Sequence, residues 1–380
     1  MLRFCLLHLS RTSTLYNVKY FIIAGEASGD LHGSTLIQAL RLTSPGAHID
    51  AWGGDLMQAA GAVVHKHYRD LAFMGFVEVI KNLPTIFRNF SLCKKHLSTA
   101  LPDVVILIDY PGFNLPIAKW LYKNKIKVVY YIAPQVWAWK SHRVHQLKKY
   151  CNKILVVLPF EEAFYKKYGV DVTYVGHPLL EYVRAQNLLH CPSSKSQKTI
   201  ALLPGSRKQE IDKILPVLLA VASHHPEHRF VVAQAPNTQD AWLSAAVQLS
   251  NCSIIKDATY ATIAAADLAV VASGTATLET ALIGTPQIVV YKAHPISVWL
   301  ARKWVGSRIK YISLVNLILD RSVVPELIQE DCTVPIISQK INELLHDATS
   351  QTTAYKELYA LLGNGSTVQR AAAIITTLAS

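Results

Sequence analysis

The chain has 380 residues, 51% of them hydrophobic and 17% charged, so it can bury a real core and is neither disordered nor fibrous. That length points to two or more units of ordinary domain size, because single cores stop growing near roughly 250–300 residues. The net charge of +12 is uneven, with +10 in residues 1–190 and +2 in the remainder, which favours a polyanion such as nucleic acid, anionic lipid or a phosphorylated substrate.

Residues 1–17 carry Arg3 and Arg11 around a short apolar run and read as an N-terminal extension, too short in its apolar part for a secretory signal. From residue 18 the pattern repeats. An apolar run at 19–24, a glycine-rich turn from Gly25 to Gly33 and a helix-like segment to Leu40 are followed by similar units with runs at 49–52, 104–108, 128–132 and 154–157. Short β-branched runs without alternation indicate parallel strands buried on both faces. The polar, serine-rich stretch 187–198 reads as a linker, after which runs at 199–203, 230–233, 268–272 and 287–291 restart the rhythm. The expected division is a first α/β domain over 18–186, the linker, and a second α/β domain with a helical end over 199–380. The expected fold class is α/β, with two doubly wound Rossmann-like domains facing a central cleft. No run reaches the roughly 18 apolar residues of a spanning helix. The six cysteines lie apart without a CxxC pair, against both a disulfide framework and structural zinc.

Four strand ends can carry chemistry. Gly25-Glu26-Ala27-Ser28-Gly29-Asp30 opens a helix and lets a ligand approach the backbone, with Asp30 as a helix cap on the structural reading. Asp109 closes the run 104–108, at the edge where open α/β sheets bind ligands, as a general base or as a cap shared with Asn114. Leu203-Pro204-Gly205-Ser206-Arg207 offers a guanidinium fork to phosphate, or a solvent-facing arginine. Ser273-Gly274-Thr275 runs into a helix whose free amides suit an anion, and Glu279 stands one turn further on, able to accept from ribose hydroxyls or simply to act on the helix end. His177 can line a cleft or pack inside. The stretch with Phe76, Lys81, Phe87 and Arg88 mixes apolar and basic side chains and can lie on a membrane or serve as core. Fifteen histidines offer no HExxH or comparable metal spacing.

Taken in order, AGEASGD from Ala24, MGFVEV from Met74, PDVVILIDYPGFN from Pro102, PQVWAWK from Pro134, LPFEEAFY from Leu158, GHP from Gly176, LLPGSR from Leu202, SGTATLE from Ser273 and VNLI from Val315 closely resemble the lipid-A-disaccharide synthases. The likeness runs from about residue 18 to the C-terminus; Gly112, where the family can carry Asp, and the N-terminal extension depart from it. It implies a GT-B glycosyltransferase that moves 2,3-diacylglucosamine from UDP to 2,3-diacylglucosamine 1-phosphate, lipid X, inverting to a β(1→6) linkage. It also implies Asp109 as base, Glu26, Ser28 and Asp30 on the acceptor side with His177 beside them, and Arg207, Ser273, Gly274, Thr275, Glu279 and Asn316 around UDP.

No cofactor or metal is expected, UDP being part of the donor. The expected partners are the two acylated sugars and an anionic membrane, with no nucleic acid; a homo-oligomer is compatible with the sequence. The expected place of action is the cytoplasm, peripherally at the inner face of the cytoplasmic membrane. Other UDP-sugar enzymes of the same fold, such as a peptidoglycan glycosyltransferase or a nucleotide-sugar epimerase, would use the same phosphate-facing helix. A nonenzymatic nucleic-acid or membrane binder would leave the phosphate loops without a role.

Overall fold

The computed structural model describes residues 18–71, 83–134, 143–191, 196–235, 238–292, 310–363 and 365–379. Strands β1 (Lys19–Ala24), β2 (His48–Gly53), β3 (Val63–His67), β4 (Val104–Ile108), β5 (Lys127–Tyr131), β6 (Lys153–Val156) and β7 (Thr173–Tyr174) form one sheet in the order β3-β2-β1-β4-β5-β6-β7. Between them run helices α1 (Ala27–Thr43), α2 (Asp55–Ala59), α3 (Leu83–Ala100), α4 (Pro111–Lys123), α5 (Arg143–Tyr150) and α6 (Glu161–Lys166), and α7 (Pro178–Ala185) follows. The second sheet has the order β10-β9-β8-β11-β12-β13, from β8 (Thr199–Leu203), β9 (Arg229–Gln234), β10 (Cys252–Lys256), β11 (Leu268–Ala272), β12 (Gln287–Tyr291) and β13 (Glu326–Ile328). Its helices are α8 (Lys208–His224), α9 (Thr259–Ala265), α10 (Thr275–Ile283), α11 (Leu314–Leu319), α12 (Val334–His346) and α13 (Thr349–Leu361); α14 (Thr367–Ala379) ends the chain. The assigned strand pairs are parallel in both sheets, as the unalternated apolar runs predict.

Strand β4 shows why. All five of its residues are buried, and successive side chains point to opposite faces. Val104, Ile106 and Ile108 enter one apolar layer while Val105 and Leu107 enter the other. Full burial of such side chains is worth about 1.5–3 kcal/mol each, so neither face tolerates a polar residue.

The domain division needs one correction. Val368, Ala371, Ala372 and Ile375 are buried at the spacing of a single helical stripe. They place α14 against α1 and the edges of β4 and β5, so the end of the chain completes the first domain and not the second. Lys127 Nζ donates to Leu378 O at 2.8 Å, and the Thr43 and Thr376 hydroxyls meet at 3.1 Å. The expected linker is tied to the second domain, with His190 N donating to Ile283 O and Cys191 N to Ala264 O, each at 3.0 Å. Among the described residues no helix is long and apolar enough to cross a membrane.

Candidate active site

In each sheet the chain leaves a central strand in one direction and later returns to that strand's other side. Ligands of open α/β folds bind beyond the carboxyl ends of the two strands at such a reversal. In the first sheet these are β1 and β4, whose ends lead to Glu26 and Asp109; in the second they are β8 and β11, whose ends lead to Arg207 and Ser273. All four candidate segments therefore stand at the two reversal points.

The two domains touch there. Arg207 Nη2 lies 3.4 Å from Glu26 Oε2, and Nη1 donates to Glu210 Oε1 at 3.0 Å. Gly205, with φ +107, turns the chain so that Glu210 lies where a β-carbon would be, 2.6 Å from its Oε2. Glu26 occupies the position preceding α1 without capping it, which leaves its carboxylate for the cleft. Burial, then the Glu210 charge, raise the Glu26 pKa against the pull of Arg207.

Asp109 and Tyr110 both have left-handed backbones, φ +42 and +47. Such conformations cost non-glycine residues roughly 1–2 kcal/mol each. The surroundings hold them in place. The Tyr130 hydroxyl donates to Asp109 O at 2.6 Å, and Asn114 Nδ2 donates to Ile108 O and Asp109 O at 3.1 and 2.8 Å. The Tyr110 hydroxyl donates to Leu71 O at 2.8 Å, and its ring packs where a β-carbon on Gly25 would come within 2.3 Å. Asp109 itself is exposed to solvent. Desolvation by the protein around it, then the Glu26 charge, push its pKa up to about 7, opposed by a hydrogen bond from the Tyr110 amide. Water at the open surface moderates that displacement. A carboxyl poised near neutrality on a rigid backbone suits proton abstraction.

Across the gap, Gly274 and Thr275 are exposed at the start of α10, which no side chain caps. Gly274 has open space where a side chain would be. The Ser273 hydroxyl is already engaged, donating to Ile312 O at 3.1 Å, so it shapes this turn. Glu279 is half-buried and bonded to the Tyr260 hydroxyl; burial pushes its pKa up to about 7 despite that bond. Tyr182 packs on Tyr260, with ring centroids 5.5 Å apart.

Three expected contacts prove to be internal. Asp30 is buried and accepts from the amides of Gly54, Leu56 and Met57 at 2.7, 3.1 and 3.1 Å, so it fixes the start of α2, not of its own helix. His177 is buried; its Nδ1 accepts from Leu179 N at the start of α7, and burial, then His32, push its pKa down to about 3. Asn316 is fully buried, donating to Val324 O and Glu326 Oε1 and accepting from the amides of Val323 and Val324. Glu326 also receives Ile312 N and Ser313 N at 2.9 Å, so Asn316 supports the segment touching Ser273. Ser28 stands half-buried in the first turn of α1. Phe87 and Arg88 are exposed on α3, whereas Phe76 and Lys81 lie outside the described residues. Tyr110, Tyr130 and Glu210 went unmarked in the sequence. The first two read as ordinary core aromatics, and only the three-residue spacing from Arg207 signals the third.

Two Rossmann-like domains, with a carboxyl at the reversal point of one and an arginine and an uncapped helix start at that of the other, have the architecture of the GT-B class. Solved structures agree on the fold. UDP-GlcNAc 2-epimerase from Neisseria meningitidis, bound to UDP-GlcNAc, is 11% identical with a TM-score of 0.64, over 95% of this chain and 100% of that one. The glycotransferase of kitacinnamycin is 14% identical with a TM-score of 0.62, over 96% and 99%. The family model described as lipid-A-disaccharide synthetase matches residues 20–376, and the chain belongs to that family. The lipid-A-disaccharide synthase of Syntrophus aciditrophicus is 40% identical over 372 residues, 94% of this chain and 97% of the relative.

Proposed function

We propose that Asp109 removes the proton from the 6-hydroxyl of 2,3-diacylglucosamine 1-phosphate as that oxygen attacks the anomeric carbon of UDP-2,3-diacylglucosamine. UDP leaves from the opposite face, and a single displacement inverts the centre to a β(1→6) linkage. This is the disaccharide-forming step of lipid A biosynthesis, the step to which the family belongs. The observation that carries the assignment is the Asp109 carboxyl at the reversal point of the first sheet, exposed on a left-handed backbone that Tyr130 and Asn114 hold in place.

Charge growing on the departing diphosphate would meet the Arg207 fork and the amides of Gly274 and Thr275. Arg207 is available for this because its present partners hold it weakly. Its side chain is 47% exposed and that of Glu26 30%, and such pairs are worth up to about 1 kcal/mol. Glu279 and its Tyr260 partner would receive the ribose hydroxyls, and Glu26 and Ser28 would meet the acceptor. Incubation with both acylated sugars and mass spectrometry of the products tests the reading. Formation of the disaccharide phosphate, lost in Asp109→Asn, supports it. Turnover of the UDP-sugar alone, without acceptor, overturns it.

The same reading puts the enzyme at the inner face of the cytoplasmic membrane, where α3 would rest Phe87 among the acyl chains and Arg88 beside the phosphates. Its support is the exposure of both residues in the electropositive half of the chain. Binding to anionic vesicles should weaken with added salt and in Lys81→Glu with Arg88→Glu; unchanged partitioning in both experiments rejects the surface.

A further inference from the structure

The turn from α8 into β9, at residues 224–229, precedes the amino end of a parallel strand, so it lies on the edge of the second sheet away from the cleft. Its sequence, His-His-Pro-Glu-His-Arg, has none of the familiar metal-binding spacings, yet the fold gathers three of its side chains. His225 Nδ1 stands 3.0 Å from Glu227 Oε1, and His228 Nε2 stands 3.6 Å from the same oxygen. The two imidazoles are nearly parallel, 7° apart with centroids separated by 5.9 Å. The three residues offer ligand atoms that all lie within 4.8 Å of one another. We propose that His225, Glu227 and His228 form a binding site for one divalent transition-metal ion of the zinc class, separate from the transfer chemistry.

The geometry suits that ion. With bonds of about 2.0–2.1 Å in a tetrahedral arrangement, zinc ligands sit roughly 3.4 Å from one another, close to the two separations from Glu227 Oε1, and the third pair lies within 4.8 Å. Two imidazoles and one carboxylate match zinc, nickel or cobalt; an oxygen-only cage would be needed to favour magnesium or calcium. The frame is built before the ion arrives, because Asn251 Nδ2 donates to the carbonyls of Ala222, His225 and His228 at 2.9, 3.1 and 3.2 Å. The His225 side chain is 8% exposed whereas that of Glu227 is 56% exposed, so the site has a fixed wall and an open mouth. Three protein ligands leave the remaining coordination positions to water. A bound ion would tie the end of α8 to the start of β9 and stabilise the folded chain by mass action. Acid would weaken it, since imidazole must be neutral to ligate.

The test uses the untagged full-length protein stripped with EDTA and titrated with zinc and, for its visible absorption, cobalt. Saturable uptake of one ion per chain, with a rise in Tm, is expected. In His225→Gln with His228→Gln the uptake and the Tm response should vanish, and in Glu227→Gln affinity should fall about tenfold or more. Equal uptake by the wild type and the double variant, or no saturable uptake by the wild type, overturns the site. Should the double variant fail to fold, Glu227→Gln decides, because its side chain is open to solvent; unchanged affinity there also overturns the proposal. Loss of sugar transfer on chelation would overturn the separation of this ion from the chemistry.

Discussion

Arg207 and Glu26, 181 positions apart in sequence, meet at 3.4 Å across the interdomain gap. Glu26 is also the charge that adds to the elevation of the Asp109 pKa. One carboxylate thus faces both the group that would hold the leaving diphosphate and the group that would take the proton.

The rate of transfer should follow from that arrangement. Asp109 acts as a base only when ionised, so kcat/KM should fall as pH drops below about 7, on a limb that lies above the ordinary carboxylate range. A negative neighbour raises a carboxyl pKa; Glu26→Gln removes it, and the acidic limb should move to lower pH. A limb that stays in place in this variant would show that Glu26 does not act on the base.

Asp109→Asn should keep the fold and the UDP affinity while lowering turnover by about 10²–10⁴-fold, the range of a lost general base. Isothermal titration with UDP and a steady-state assay separate the two quantities. Undiminished turnover would remove Asp109 from the mechanism.

Arg207→Lys keeps the charge but loses the planar fork. Turnover should drop about 10²-fold, as when one donor to a developing anion is removed, and UDP should bind more weakly. Near-normal kinetics would mean that diphosphate is held elsewhere.

Asn316 distinguishes support from contact. Its removal in Asn316→Ala would leave Glu326 and the Val323 and Val324 amides short of partners, costing on the order of 2–4 kcal/mol. A clear drop in Tm should accompany a UDP affinity changed only a few-fold below the transition. The reverse pattern, unchanged Tm with lost affinity, would restore Asn316 to the nucleotide.

His32 and His177 are buried and neutral, with pKa values pushed down to about 4 and about 3 by burial. The unfolded chain binds these protons near pH 6.5 and the folded chain only far below, so stability is present above pH 6.5 and lost as pH falls. Each histidine should contribute a loss of about 3 kcal/mol between pH 6.5 and 4. Asparagine also serves as a helix cap, so His177→Asn should flatten the decline of Tm with acid; an unchanged slope would exclude His177 as a source.

Much of the central architecture was legible because β4, β8 and β11 are apolar on both faces, and such runs have few other uses. Strand β3, reading Val63-Val64-His65-Lys66-His67, was not. It lies at the sheet edge, one face meets solvent, and its polar residues erase the signal. The short β13 was lost for the same reason of position. Within the site, Asp109 and Arg207 could be marked because strand ends in parallel sheets face ligands whatever the rest of the chain does. The parts played by Asp30, His177 and Asn316 depend on which backbone amides arrive from elsewhere, and no local pattern encodes that. Helix α14 followed the second domain in sequence, and only its stripe of small apolar residues hinted that it needed a different surface.

The return of α14 to α1 also sets the order of manufacture. Domains generally fold as they leave the ribosome, but here the earliest-made sheet lacks one of its covering helices until residues 367–379 have been synthesised. The face of α1 awaiting that helix stays uncovered throughout translation of the second domain. A nascent-chain chaperone that shields apolar surface would find its longest opportunity there.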